Sequence, residues 1–187
     1  MRSTAIIFFF VVVFAAGCRK PAAPVNVGDR PVSINDRPMG SAPAGPTRPL
    51  AEMSWTTQGG AVSKMKDFGG RAVILDLWAT YCPPCIEEIP HLRSLKAKYG
   101  EDLNIVGLHV GGDEDRPKIP AFVERLKIDY PIAYPDDDLT EFVTAGDSRI
   151  PQTAVFDREG RLIEKFVGFD QNVKAALDEA VRRAVGQ

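Results

Sequence analysis

The sequence predicts an α/β domain, with a central mixed β-sheet covered by helices on both faces. Three observations lead there. From residue 72 onward, apolar runs of strand length alternate with segments of helical spacing. The last two strand runs flank a short polar turn, Asp157-Arg158-Glu159-Gly160, as a hairpin does. An amphipathic helix then closes the chain. Strands alternating with helices, then a hairpin and a helix, are the pattern of a mixed sheet packed on both sides.

The first 17 residues stand outside that pattern. Arg2 is a minimal basic start, residues 6–14 are unbrokenly apolar but too short to span a bilayer, and Ala15-Ala16-Gly17 precedes Cys18. This is the layout of an export signal. Small residues directly before a cysteine also resemble a bacterial lipobox, which makes Cys18 the expected lipidation site and residues 1–17 a lipoprotein signal peptide. Residues 18–48 are then the lipidated cysteine and a tether. Seven of the 15 prolines fall between residues 19 and 49, and large apolar residues are few. Such a segment cannot bury enough surface to offset its chain entropy, so a disordered tether is expected. Its reach is about 90 Å fully extended and nearer 30 Å as a random coil.

Residues 49–187 are enough for one domain with a real core. Removing the +1 of Arg2 and the +3 of the tether from the net charge of −2 leaves −6 on the domain, which argues against a nucleic-acid partner. Residues 53–62 read as a short hairpin turning at Gln58-Gly59-Gly60. Residues 72–77 form a central strand, 83–99 a helix, 103–110 a second apolar strand and 117–126 another helix. Residues 130–133 give a short strand and 139–143 one or two helical turns. Strands at 153–156 and 162–167 form the closing hairpin. Residues 172–185 place Val173, Ala176, Leu177, Ala180, Val181 and Ala184 on one helical face.

The chemistry centres on Cys82-Pro83-Pro84-Cys85, at the point where the central strand gives way to a helix. Two cysteines so placed form a dithiol suited to disulfide exchange. Zinc sites share the spacing but need four ligands, and the only other candidates are Cys18 and two isolated histidines, His91 and His109. No metal site is therefore expected. Cys82 lies at the helix N-terminus, where unpaired N–H groups and the helix dipole favour its thiolate over that of a free cysteine of pKa about 8.5. Pro83 and Pro84 suit a first turn but bring no N–H to the sulfur, so a moderate depression is expected. Cys82 attacks, and Cys85, deeper on the helix, resolves the mixed disulfide. Asp76 interrupts a run built for burial. It must carry a raised pKa or find a lysine or backbone donors as partners. Pro90, inside the helix, is expected to kink it. Glu87 and Glu88 read as solvated charges on an exposed helix face.

Asp76-Leu77-Trp78-Ala79-Thr80, the Cys82–Cys85 motif and Glu87-Glu88-Ile89-Pro90 together resemble the TlpA/ResA type of membrane-anchored thiol-disulfide oxidoreductase, within the thioredoxin superfamily. Downstream, Ile150-Pro151-Gln152-Thr153 is similar to that family's cis-proline loop, and residues 113–133 to the helix and strand inserted relative to plain thioredoxin. The resemblance implies a thioredoxin-like fold over residues 49–187 and a cis Pro151. It implies a substrate chain paired with the backbone of Ile150 and bordered by Trp78, Tyr81, Pro83 and Pro84, and a proton-shuttling Asp76 below the dithiol. It further implies no cofactor beyond the Cys82–Cys85 disulfide, and a monomer lipid-anchored at Cys18 on the extracytoplasmic, periplasmic face of a bacterial envelope. A membrane electron donor recharges it, and its substrates are disulfides of envelope proteins such as apocytochrome c. Two other classes of protein share parts of this pattern. A thiol peroxidase carries Pro-x-x-x-Thr-x-x-Cys, but Leu75 and Ala79 stand at those positions. A copper-delivering lipoprotein uses a wider cysteine spacing and a downstream histidine, and none follows His109. Residues 145–149 and Gln152 depart from the family's usual loop, which alters the surface offered to a partner.

Overall fold

In the computed structural model the described residues are 48–186. The signal segment, Cys18 and the tether up to residue 47 lie outside them, as does Gln187. A short 3-10 turn, Leu50–Glu52, leads into the hairpin of β1 (Ser54–Thr57) and β2 (Val62–Lys64). A second turn, Met65–Phe68, precedes the central strand β3 (Ala72–Trp78). Then follow α1 (Pro83–Tyr99), β4 (Leu103–His109), α2 (Ile119–Leu126), β5 (Ile132–Pro135) and α3 (Asp137–Thr144). The chain closes with β6 (Gln152–Phe156), β7 (Leu162–Val167) and α4 (Gln171–Ala184). One sheet holds all seven strands in the order β2-β1-β5-β4-β3-β6-β7. β3 runs parallel to β4, and β4 to β5, while β6, β7 and the β1–β2 hairpin are antiparallel. The expected mixed sheet is present.

Strand β3 is buried along its whole length. Its side chains alternate between two cores, as pleating requires. Ala72, Ile74 and Trp78 face a core built with α1, α2 and α4, including Leu92, Phe122 and Leu177. Val73, Leu75 and Leu77 face the other core with Met53, Trp55 and α3 residues Leu139 and Val143. Asp76 shares the parity of Ile74 and Trp78, so it points toward α1.

The boundaries differ from the expected ones where capping and proline override hydrophobic pattern. Asp136 caps α3 by accepting the Leu139 N–H at 2.8 Å, which starts that helix two residues early. Asp170 caps α4, taking N–H groups from Asn172 and Val173 at 2.8 Å each, and that helix starts one residue early. The strand expected at 130–133 lies instead at Ile132–Pro135, paired with β1, while Tyr130 turns into the core. The helix expected at 117–126 opens as a 3-10 turn, Arg116–Lys118. α1 runs uninterrupted past Pro90. Mid-strand Gly107 sits opposite Asp76 for a packing reason. A Cβ there would meet Ile132 Cδ1 at 2.7 Å and Trp78 Nε1 at 2.9 Å.

Candidate active site

Strand β3 ends at Trp78, and the chain turns through Ala79–Cys82, with the Cys82 N–H reaching the Ala79 carbonyl at 3.3 Å. Cys82 is the N-cap of α1. Its sulfur accepts the N–H of Cys85 at 3.2 Å, so the donor that Pro83 and Pro84 cannot supply comes from the third helical residue. Cys82 and Cys85 are joined by a disulfide, with Cα atoms 5.3 Å apart. Both cysteines are buried, Cys82 4% and Cys85 1% exposed. What separates the two sulfurs is position on the helix: one caps its end and the other sits inside the first turn.

Two acids are buried on the side of the sheet that α1 covers. Asp76 is 1% exposed, and neither carboxyl oxygen has a hydrogen-bond partner among the described residues. The reading of Asp76 as an acid satisfied by a lysine or backbone donors therefore fails. Burial, and secondarily the neighbouring Glu88 carboxyl, push its pKa well above the usual carboxylate range. Glu88 corrects the expectation of a solvated charge. It is fully buried, and only Glu87 is exposed. Burial raises Glu88 to about 7, although the hydrogen bond from Thr153 works in the opposite direction. The Thr153 hydroxyl donates to Glu88 Oε1 at 2.5 Å, leaving Oε2 without a partner. Thr153 stands opposite Asp76 in the β3–β6 pairing, so strand register and helix face bring all three groups together. The sequence carried a usable sign of this. Cys85, Glu88, Ile89 and Leu92 fall at i, i+3, i+4 and i+7, the stripe that α1 buries.

The remaining predicted residues divide by exposure. Ile150–Pro151 is a cis peptide bond, as expected. Because Gln152 pairs with Leu77, this bond lies at the same end of the sheet as the dithiol turn. Tyr81 is 62% exposed, Pro83 is exposed, and Pro84 and Ile150 are half-buried. Trp78 is different. It is wholly buried, stacked on Phe122 at 4.9 Å between ring centroids, and it presents no face to a docked chain. The loop at 145–149 is held from beneath by Gln152, whose amide donates to the carbonyls of Asp147 (2.6 Å) and Arg149 (2.9 Å). Beside the dithiol turn, Thr80, Lys118, Ala121, Phe122 and Arg125 line an open cleft of about 410 Å³.

The described residues hold no group of three or more His, Cys, Asp or Glu side chains able to bind a metal ion, and no helix long and apolar enough to cross a membrane. The arrangement suits dithiol–disulfide exchange: a sulfur at a helix N-terminus, a second sulfur one turn in, and buried carboxyls that titrate far above their normal range.

Comparison with known proteins agrees. The Redoxin family model matches residues 42–181. The thiol-disulfide oxidoreductase ResA of Bacillus thuringiensis subsp. konkukian is 30% identical over 122 residues, spanning 64% of this chain and 67% of that one. A crystal structure of a thiol:disulfide interchange protein of the thioredoxin family from Chlorobium tepidum aligns with TM-score 0.61 and 27% identity, over 74% of this chain and 98% of the other. A second from the same organism, a candidate thiol:disulfide interchange protein DsbE, gives TM-score 0.63 at 26% identity, over 73% and 96%.

Proposed function

From the premise that the chain belongs to the Redoxin family and is a ResA/TlpA-type thiol-disulfide oxidoreductase, we propose that it works as a reductase of disulfides in bacterial envelope proteins, apocytochrome c among them. The observation that carries this reading is the Cys82–Cys85 disulfide capping α1, together with the buried Asp76 and Glu88 carboxyls. The names of the relatives support the chemistry, and the export-type leader with Cys18 supports the place of action.

In the reduced protein the Cys82 thiolate attacks one sulfur of the substrate disulfide. A mixed disulfide forms, and the other substrate sulfur leaves as a thiolate that takes a proton from solvent. Cys85 must then lose its own proton. The acceptor is the Asp76–Glu88 pair, whose raised pKa values put it within range of a thiol at neutral pH. The Cys85 thiolate attacks the Cys82 sulfur, closing the disulfide. The second substrate sulfur departs and is protonated from the carboxyl pair. Two electrons pass from the dithiol to the substrate, with one proton drawn from solvent and one from Cys85 by way of the carboxyl pair. A membrane electron donor reverses the sequence to recharge the protein.

The substrate chain lies along Ile150 and Pro151, with Tyr81, Pro83 and Pro84 as its border. Among the described residues one backbone N–H, that of Cys85, reaches the Cys82 sulfur, so the thiolate is stabilised modestly. A weakly stabilised thiolate favours a reducing couple, nearer the thioredoxin value of about −270 mV than the DsbA value of about −120 mV. The test is mixed-disulfide trapping. With Cys85→Ser the resolving step is blocked, and the captured envelope proteins should carry cysteine pairs. Capture of nothing above the level of a Cys82→Ser, Cys85→Ser double variant refutes the reading.

A further inference from the structure

Asp115 belongs to the segment inserted between β4 and α2, yet its carboxylate sits against the dithiol turn, 35 residues earlier in the chain. It is 2% exposed, and each oxygen takes two donors. Oδ2 accepts the Thr80 N–H at 2.8 Å and lies 2.9 Å from His109 Nε2. Oδ1 accepts the Thr80 hydroxyl in a very short bond and the Lys118 ammonium at 3.1 Å. These donors hold the carboxyl well below its usual range despite its burial, so it is an anion at any working pH. Gly111 lets the chain pass close over the group. A Cβ there would come within 2.5 Å of Asp115 Oδ2 and 2.8 Å of His109 Nε2.

Thr80 is the second residue of the turn that ends in Cys82. Both of its polar groups are gripped by the one carboxylate, through two bonds that a single side chain directs. The turn is otherwise tied at its ends, by the fully buried Ala79 and by Cys82, whose carbonyl accepts the Ile86 N–H at 3.2 Å, which leaves Thr80 as the polar anchor between them. The Cys82 N–H to Ala79 carbonyl bond is long at 3.3 Å, and Tyr81 stands out in solvent. The orientation of Cys82 as helix cap, and with it the line of attack of its sulfur, therefore depends on what holds Thr80.

We propose that Asp115 is a positioning residue for the dithiol: by binding the Thr80 N–H and hydroxyl from the inserted segment, it fixes the turn that presents Cys82. His109 and Lys118 hold the carboxylate in place, and the insertion is thereby coupled to the reacting sulfur. The proposal rests on the oxidoreductase reading, and the two can fail separately.

The experiment compares wild type with Thr80→Val, Thr80→Ser and Asp115→Asn in the full chain. Three readings are taken: the alkylation rate of Cys82 in the reduced protein with iodoacetamide, the reduction of insulin disulfides with dithiothreitol as recharging donor, and thermal stability. Thr80→Val is near-isosteric and leaves Asp115 bonded to His109 and Lys118. It should slow both Cys82 alkylation and insulin reduction about tenfold, the scale of a slightly misplaced reacting group. Thr80→Ser restores the hydroxyl and should return both rates to within about twofold of wild type by the same argument. Asp115→Asn should match or exceed the Thr80→Val defect. Lower melting temperatures with unchanged alkylation and reduction rates in both Thr80→Val and Asp115→Asn would make the carboxylate a structural staple only and overturn the proposal. An equal defect in Thr80→Ser and Thr80→Val overturns it as well. A wild-type protein that reduces no insulin disulfide counts against the oxidoreductase reading, while the alkylation ratios still judge the positioning.

Discussion

The Asp76 carboxyl is buried with no hydrogen-bond partner among the described residues, and the cost of that depends on pH. Its native pKa is raised above the unfolded value of about 3.9. The folded state therefore holds a proton that the unfolded chain releases, and stability falls as pH climbs from about 4 toward the native value. Asp76→Asn removes that titration. The variant should gain on wild type by up to about 1.4 kcal/mol per pH unit within this window and level off above it. The buried amide adds a pH-independent offset, so the slope of denaturant-derived stability against pH is the reading that decides. A flat difference would show that Asp76 is not buried uncompensated. Glu88→Gln should behave alike between its unfolded pKa of about 4.3 and the native value of about 7, with a total gain on the order of 3 kcal/mol. It should also lower the Asp76 pKa, since Glu88 is one of the two causes of that shift. On the proposed mechanism the two carboxyls back each other up as acceptors. Either variant should slow disulfide exchange at neutral pH about tenfold, and the double variant by 10² or more, roughly the worth of general acid–base catalysis. A double variant exchanging at the wild-type rate would remove both acids from the mechanism.

Helix α1 is the element that turns these residues into a site, because one face carries Cys85, Glu88, Ile89 and Leu92 into the core while its end exposes the capping sulfur to the helix dipole. In the reduced protein Cys82 should alkylate at least about tenfold faster than Cys85 near neutral pH, on the strength of its place at the helix end. Peptide mapping after brief labelling checks this, and equal rates would undo the assignment of attacking and resolving thiols. The helix also shows what the sequence could and could not disclose. The strand-turn-helix context made the dithiol plain, and the break in the apolar run at Asp76 announced a buried acid. Glu88 was misjudged because two adjacent glutamates look like a solvated pair, although helical geometry puts only one of them on the buried stripe. The Asp115 grip on Thr80 left no local trace, being a contact across 35 residues in which both partners are ordinary loop residues. Strand β5 was misplaced because Tyr130 and Ile132 both have side chains that suit a strand, and pairing decides which joins the sheet: Ile132 stands opposite Gly107 of β4, while β1 takes Ala133, Tyr134 and Pro135.

At the scale of the whole molecule, the sheet places everything reactive at one end. Trp78, the dithiol turn, Gly111, Asp115 and the Ile150–Pro151 bond all lie where β3 and β4 finish and β6 begins, while the β6–β7 turn at Asp157–Gly160 lies at the other. A domain so polarised meets its partners through one end, and an attachment must leave that end free. The Pro-rich residues 19–48 stand in the sequence between Cys18 and the domain, where such an attachment belongs. We expect the mature chain to begin at Cys18 carrying a diacylglyceryl group. Because one acyl chain gives only marginal, reversible membrane binding, two chains on this cysteine are what stable anchoring requires. Intact-mass measurement of the protein from its native membrane fraction, together with Cys18→Ser, checks this. The variant should move from the membrane to the soluble envelope fraction while keeping its exchange rate on a soluble disulfide, because the anchor takes no part in the chemistry. An unmodified Cys18, or a mature N-terminus elsewhere, would remove the anchor and leave the protein free to diffuse to its substrates.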